Sequence, residues 1–153
     1  MVLAIGDLPV WGAKQGHGSF LTMEFGDKIE PTRTLDDRLV ERGEWHLWIY
    51  MCGWTIEGPA EPGANSESSR EAIGATLERL EGTSLTDVEV EHCDAGTSFL
   101  FDEVCLHTHT IYPGDHELWM LYRPDGFVLS AYGSGHYSLG PGDSTEGHVL
   151  IPL

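Results

Sequence analysis

Trp45-His46-Leu47-Trp48-Ile49-Tyr50-Met51-Cys52-Gly53-Trp54-Thr55-Ile56 is the stretch on which the reading of the fold turns. It holds three of the five tryptophans and no Lys, Arg, Asp or Glu. Trp, Ile, Tyr and Thr favour the pleated backbone. Polar and apolar residues do not alternate here, so both faces are expected to be covered, as in a central strand. The run is too short to cross a bilayer as a helix. It is predicted to form the middle of a sheet, with a helix over one face.

Upstream, residues 2–10 are short and apolar and suggest a peripheral strand, and residues 11–18 are a glycine-rich turn region. Leu21, Met23 and Phe25 then alternate with Thr22 and Glu24, the pattern of a half-buried strand. Residues 26–44 hold four basic and six acidic side chains and Pro31. They read as a long exposed loop with a short helix over 35–40, and long loops in compact domains are often functional.

Downstream, residues 57–65 are a Pro/Gly-rich linker. Ser68 with Glu71 matches a capping box. Ile73, Leu77 and Leu80 follow on one helical face, and Gly82 suits the left-handed position that ends a helix. Beyond lie short strand patterns over 87–91, 97–101, 104–112, 118–123, 127–132, 136–139 and 149–151. Pro124-Asp125-Gly126 is a turn between two of them. This order predicts one α+β domain over 1–153. A mainly antiparallel sheet of about six to eight strands carries one principal helix at about 69–81. Its core should hold Leu21, Met23, Phe25, Leu47, Ile49, Ile73, Leu77, Leu80, Val88, Val90, Phe99, Phe101, Leu106 and Trp119.

The chain has 25 Asp and Glu against 8 Lys and Arg, a net charge of −17. From Glu81 onward there are twelve acids and one base, Arg123. That field repels phosphates and argues against nucleic acid as a partner. It attracts basic proteins, and it also simply keeps a protein soluble. No long apolar segment suggests a membrane span. No basic and apolar leader follows Met1, and the three cysteines, Cys52, Cys93 and Cys105, form no Cys-x-x-Cys pair. Free thiols in a reducing cytoplasm are expected.

His107-Thr108-His109 places two imidazoles on one face of a strand, which can begin a metal site. Glu117 is the expected third ligand, with His116, His136 and His148 as alternatives; a divalent metal would be the cofactor. His-x-His followed by Glu is similar to the first motif of cupins. The seven residues between His109 and Glu117 exceed that motif's spacing, and a solvated strand face would look the same. Cys105 shares a face with His107, as a nucleophile and base would. Gly16-His17-Gly18-Ser19 lacks the Lys of a phosphate loop and leads into a strand. No set has catalytic residues at catalytic spacing, so a non-enzymatic role is expected. The alternatives are a small-molecule or metal-binding sheet protein, or an enzyme using the 107–109 site. Asp87, Glu89 and Glu91 alternate with Val88 and Val90 and form a negative row for a basic partner.

Gly16-His17-Gly18-Ser19-Phe20-Leu21-Thr22, Trp45 to Tyr50, Leu80-Glu81-Gly82-Thr83-Ser84-Leu85, Phe99-Leu100-Phe101, Glu117-Leu118-Trp119 and Pro124-Asp125-Gly126 occur in an order that resembles small uncharacterised bacterial α+β proteins. Some of those are suspected immunity-type or interaction proteins. The resemblance implies a cytoplasmic protein-binding module, and one version of that is an immunity protein that blocks a basic toxin. It carries no catalytic residues with it.

Overall fold

The computed structural model describes residues 5–59, 63–144 and 146–152. The deciding stretch is not one strand. It divides at Tyr50–Cys52 and passes from one sheet to another. Its first half ends strand β3 (Leu39–Ile49), and its second half is β4 (Gly53–Glu57). At the corner the Tyr50 and Met51 amides donate to the carbonyls of Leu118 and Glu117 at 2.9 and 3.2 Å. Gly53 lets the His109 ring lie against the backbone there: a Cβ would lie 2.4 Å from His109 Nε2 and 2.8 Å from Ile111. A uniformly apolar run does not reveal the corner, because both halves are buried.

Twelve strands occur among the described residues, in place of six to eight, and they form two sheets instead of one. The seven-stranded sheet has the order β1 (Val10–Gln15), β2 (Leu21–Arg33), β3, β9 (Glu117–Tyr122), β10 (Phe127–Tyr132), β11 (His136–Pro141), β12 (Val149–Pro152). The five-stranded sheet has the order β5 (Ala64–Asn65), β4, β8 (Val104–His109), β7 (Thr97–Phe101), β6 (Leu85–Val90). All pairings are antiparallel. The excess strands come from places where sequence pattern is weak. Residues 26–44 are not a loop with a helix but the far ends of β2 and β3, paired Arg33↔Leu39 and Lys28↔Gly43 around a turn with Asp37 at φ 59°. They are largely exposed on both faces, so no alternation marks them. The first strand starts at Val10 and runs into the expected glycine-rich turn; residues 2–4 of the expected peripheral strand lie outside the described residues.

One apolar cluster joins the two sheets. Leu21, Met23 and Phe25 sit opposite Ile49, Leu47 and Trp45 in register. Phe25 stacks on Phe101 with centroids 6.4 Å apart, and Phe99 meets Trp119 edge-on at 5.4 Å. The Trp119 indole N–H donates to the Thr97 hydroxyl at 2.9 Å, so the large ring is buried with its polar atom satisfied. Every residue of the expected core is buried except Val90, which is partly buried and packs against it.

The helix, α1 (Arg70–Glu78), is shorter than 69–81 and its cap is displaced by one residue. Ser69, not Ser68, accepts from the Ala72 amide; Ser68 Oγ instead accepts from the Asn65 amide at 3.0 Å. Ile73 and Leu77 are buried, and the helix packs against β1 and β5, an edge strand of each sheet. It therefore does not cover the face of a central strand. Gly82 has the expected positive φ, 80°. Among the described residues no helix is long and apolar enough to cross a membrane.

Candidate functional site

Each sheet turns one face to the shared core and one face away from it. On β4, β6, β7 and β8, alternation sends Trp54, Ile56, Val88, Phe99 and Leu106 inward. The same alternation sends Thr55, Glu57, Asp87, Glu89, Ser98, Cys105, His107 and His109 outward. Register places Glu89 opposite Ser98, Ser98 opposite His107, and His107 opposite Thr55. Two separate sequence signals, the His107/His109 pair and the acidic row, thus share one outer face. Asp87, Glu89 and Glu91 are all exposed, with the first two on the edge strand β6 and Glu91 one residue beyond it. A register shift between Leu85 and Asp87 sets the phase of the row. None of the three forms an ion pair with a described Lys or Arg.

The expected metal set does not assemble. His107 and His109 stack with ring centroids 6.5 Å apart, and Ser98 Oγ lies 2.9 Å from His107 Nδ1. Glu117, however, belongs to the other sheet. It faces Tyr132, whose hydroxyl donates to it at 3.5 Å. Among the described residues, the group of three with ligand atoms within 4.8 Å of one another is Glu91, Cys93 and Asp94, on the exposed turn after β6. There the Asp94 carboxylate already accepts the Gly96 amide. The nucleophile reading of Cys105 also fails on chemistry. Burial pushes its thiol above the usual value, a hydrogen bond from Ser98 opposes this, and the charges of Glu57 and Glu89 raise it further. The reactive form is the thiolate, and this setting disfavours it. Cys52 is more inert still: burial pushes it up to about 12, and its thiol donates to the Leu118 carbonyl at 3.2 Å. All three cysteines are free.

The outer face of the seven-stranded sheet holds what the sequence concealed. Glu24 is 3% exposed and His46 6%, and they are cross-strand partners on β2 and β3. Glu24 Oε1 lies 2.6 Å from His46 Nδ1, and Oε2 accepts the Gly43 amide at 3.0 Å. The Arg42 guanidinium meets His46 Nε2. Arginine only donates, so Nε2 is the acceptor and Nδ1 carries the proton given to Glu24. This carboxylate–imidazole pair has its outward lone pair occupied, so it braces the sheet and offers no free base. Alternation with Leu21, Met23 and Phe25 suggested a solvent-facing Glu24. Only the sheet's long β2–β3 arm buries it.

Next to His46 in register comes Tyr122, and beyond it a groove of about 550 Å³ over β9, β10 and β11. Its floor is Val128, Ser130 and Ser138, all buried. Its walls include Glu117, Met120, Tyr122, Tyr132, Asp143, His148 and Leu150. A bulge at Leu118, seen as Ala131↔Trp119 followed by Tyr132↔Glu117, turns Glu117 onto the same side as Met120. His148 closes the far end by folding over Gly140, with Nε2 3.1 and 2.8 Å from the carbonyl oxygens of Pro141 and Ser144. The Ser138 hydroxyl is buried and has no partner among the described residues. A larger cleft of about 770 Å³ beside β1 and β2 is lined by Lys28 and Glu41, which pair at 3.1 Å, and by Glu81, which accepts the Ala13 amide. Two of its charged groups thus pair with each other, and a third is held by the backbone. Compared with known proteins, the chain matches no family model, no curated protein and no solved structure.

Proposed function

We propose that the protein is a non-enzymatic, acidic binding module whose docking surface for a basic protein is the outer face and β6 edge of the five-stranded sheet. One form of this reading is an immunity-type inhibitor of a basic toxin. The observation that carries it is the row Asp87, Glu89 and Glu91: three exposed carboxylates at a sheet edge, without a described basic partner. Asp87 and Glu89 are spaced about 7 Å apart along the strand, the repeat of alternate side chains. Side by side they repel, and a partner's Lys or Arg residues relieve that repulsion. An edge strand also offers backbone groups to an extended segment. Such exposed charges act chiefly on association rate, and salt screens them over about 8 Å at physiological ionic strength.

The test uses a synthetic ten-residue peptide of alternating lysine and valine as the basic probe, with stopped-flow fluorescence as readout. The variant Asp87→Asn/Glu89→Gln/Glu91→Gln should slow association at low salt by roughly fivefold or more and flatten its salt dependence. A control variant, Asp36→Asn/Asp37→Asn/Glu41→Gln, removes equal charge from the β2–β3 arm and should leave most of the rate. Equal losses in both variants would mean that net charge alone attracts the peptide, and the docking surface would be withdrawn.

A further inference from the structure

We infer that the groove over β9, β10 and β11 is a binding site for a linear aliphatic polyamine. The ligand lies along the strands with a terminal ammonium at Glu117, a terminal ammonium at Asp143 and a middle ammonium over Ser138. Three features point to that chemistry.

The first is charge. The groove wall carries two carboxylates and no Lys or Arg. Neither carboxylate is in an ion pair among the described residues. In this groove, on a chain of net charge −17, an anionic ligand meets no Lys or Arg. The second is the placing of the acids. Glu117 begins β9 and Tyr122 ends it. Gly142 packs on the Tyr122 ring, which sets Asp143 at the Tyr122 end. Five steps of extended strand separate the ends by about 17 Å at most. Carboxylates at opposite ends of the groove suit a long, flexible molecule with a charge at each end, and neither belongs to the group of potential metal ligands found among the described residues.

The third feature is the floor. Met120, Val128 and Leu150 present apolar surface to methylene groups. Ser138 lines the same groove, and its Oγ is buried without a hydrogen-bond partner among the described residues. Leaving a buried hydroxyl in that state is unfavourable. A secondary ammonium between two methylene chains supplies the missing partner by donating to Oγ. A simple alkyl monoamine meets one carboxylate and leaves the hydroxyl unpaired. The site is remote from Asp87, Glu89 and Glu91, which lie on the other sheet.

The experiment is calorimetric titration of the full chain with spermidine in about 0.15 M salt, where diffuse attraction is screened. Heptylamine, of similar length with one charge, and Mg²⁺ serve as comparison ligands. Spermidine should bind at one site and at least about tenfold more tightly than heptylamine. Glu117→Gln and Asp143→Asn should each weaken spermidine binding by roughly fivefold to tenfold and erase most of its advantage over heptylamine. Ser138→Ala should weaken spermidine and leave heptylamine unchanged. The Asp87→Asn/Glu89→Gln/Glu91→Gln variant should bind spermidine as wild type does, which separates this site from the protein-docking surface. Glu117 and Asp143 are not in the core, so thermal melts of both variants should match wild type. If the two groove variants bind spermidine as wild type does, or the β6 variant loses as much as they do, the polyamine is a diffuse counter-ion and the site is refuted. Equal affinity for heptylamine and spermidine would refute it as well.

Discussion

The outer faces of the two sheets look alike in sequence and differ in the structure. Each is the polar half of an alternating pattern, rich in acids, histidines and hydroxyls. On the five-stranded sheet, Asp87 and Glu89 stand in water and pair with no described base. On the seven-stranded sheet, Glu24, His46, Ser130 and Ser138 are buried although they too point away from the core. The difference lies in what covers them. Arg42 lies over His46 on the long β2–β3 arm, and the turn before β12 lays His148 over Gly140. Polar groups shielded this way must find partners, because desolvation without a hydrogen bond is expensive. Glu24 and His46 have done so; Ser138 has not. One face is therefore suited to meeting a large partner through solvent, and the other to enclosing a small one.

Breaking the buried network is the most severe way to test this contrast. Glu24→Ala leaves the His46 N–H and the Gly43 amide without their acceptor and loosens the imidazole that the Arg42 guanidinium meets. Through the two donors it orphans, it should cost about 2–3 kcal/mol or more. Glu89→Ala, the same chemical change on the other face, should stay within about 0.5 kcal/mol. Urea unfolding of the two variants measures both, and a comparable loss from each would dissolve the distinction.

The cover over the groove offers an intermediate effect. A Cβ at Gly140 would lie 2.5 Å from His148 Cγ and 2.8 Å from its Cα, so the turn must move. Gly140→Ala should cost about 1–3 kcal/mol by overpacking and should detach the turn. Faster amide exchange at residues 146–148 than in wild type, with β6 unchanged, would show this. Unchanged exchange there would mean that His148 does not close the groove.

The smallest effect sharpens the picture of the core between the faces. The Tyr137 hydroxyl is buried without a partner among the described residues, and burial pushes it up to about 12 from its ordinary value of 10.0. A raised acid is held in its neutral form by the fold. Its contribution to stability is complete below pH 10 and is lost as pH rises from 10 through about 12. Cys52, raised to about 12 from 9.0, acts in the same direction over a wider window. Tyr137→Phe should therefore change stability at pH 7 by less than about 1 kcal/mol while flattening the decline above pH 10. Melting temperatures from pH 7 to pH 12 check this, and an undiminished decline would place the alkaline transition elsewhere.

The parts of the fold legible in sequence were those where burial repeats with a fixed period. Leu21, Met23 and Phe25 at period two, and Ile73, Leu77 and Leu80 at helical spacing, lie in the core as their spacing requires. Exposure of the acids around Val88 was legible for the same reason. The β2–β3 arm was not, because its exposed strands show no alternation, and polar residues suit a loop as well as a ribbon. The metal trio of His107, His109 and Glu117 failed because proximity in sequence does not choose between sheets. The chain turns from β8 in one sheet to β9 in the other between His109 and Glu117.

By itself, then, the sequence determined the antiparallel sheet character, the helix with Gly82 beyond it, nearly all of the core and the acidic surface. These depend on composition and on contacts between near neighbours in the chain. Tertiary structure alone decided that Tyr50–Cys52 is a corner between sheets, that a bulge at Leu118 turns Glu117 into a groove, and that Glu24 is sealed against His46 and Arg42. Each of these depends on which distant strand lies alongside and what folds over it, and no local period encodes that.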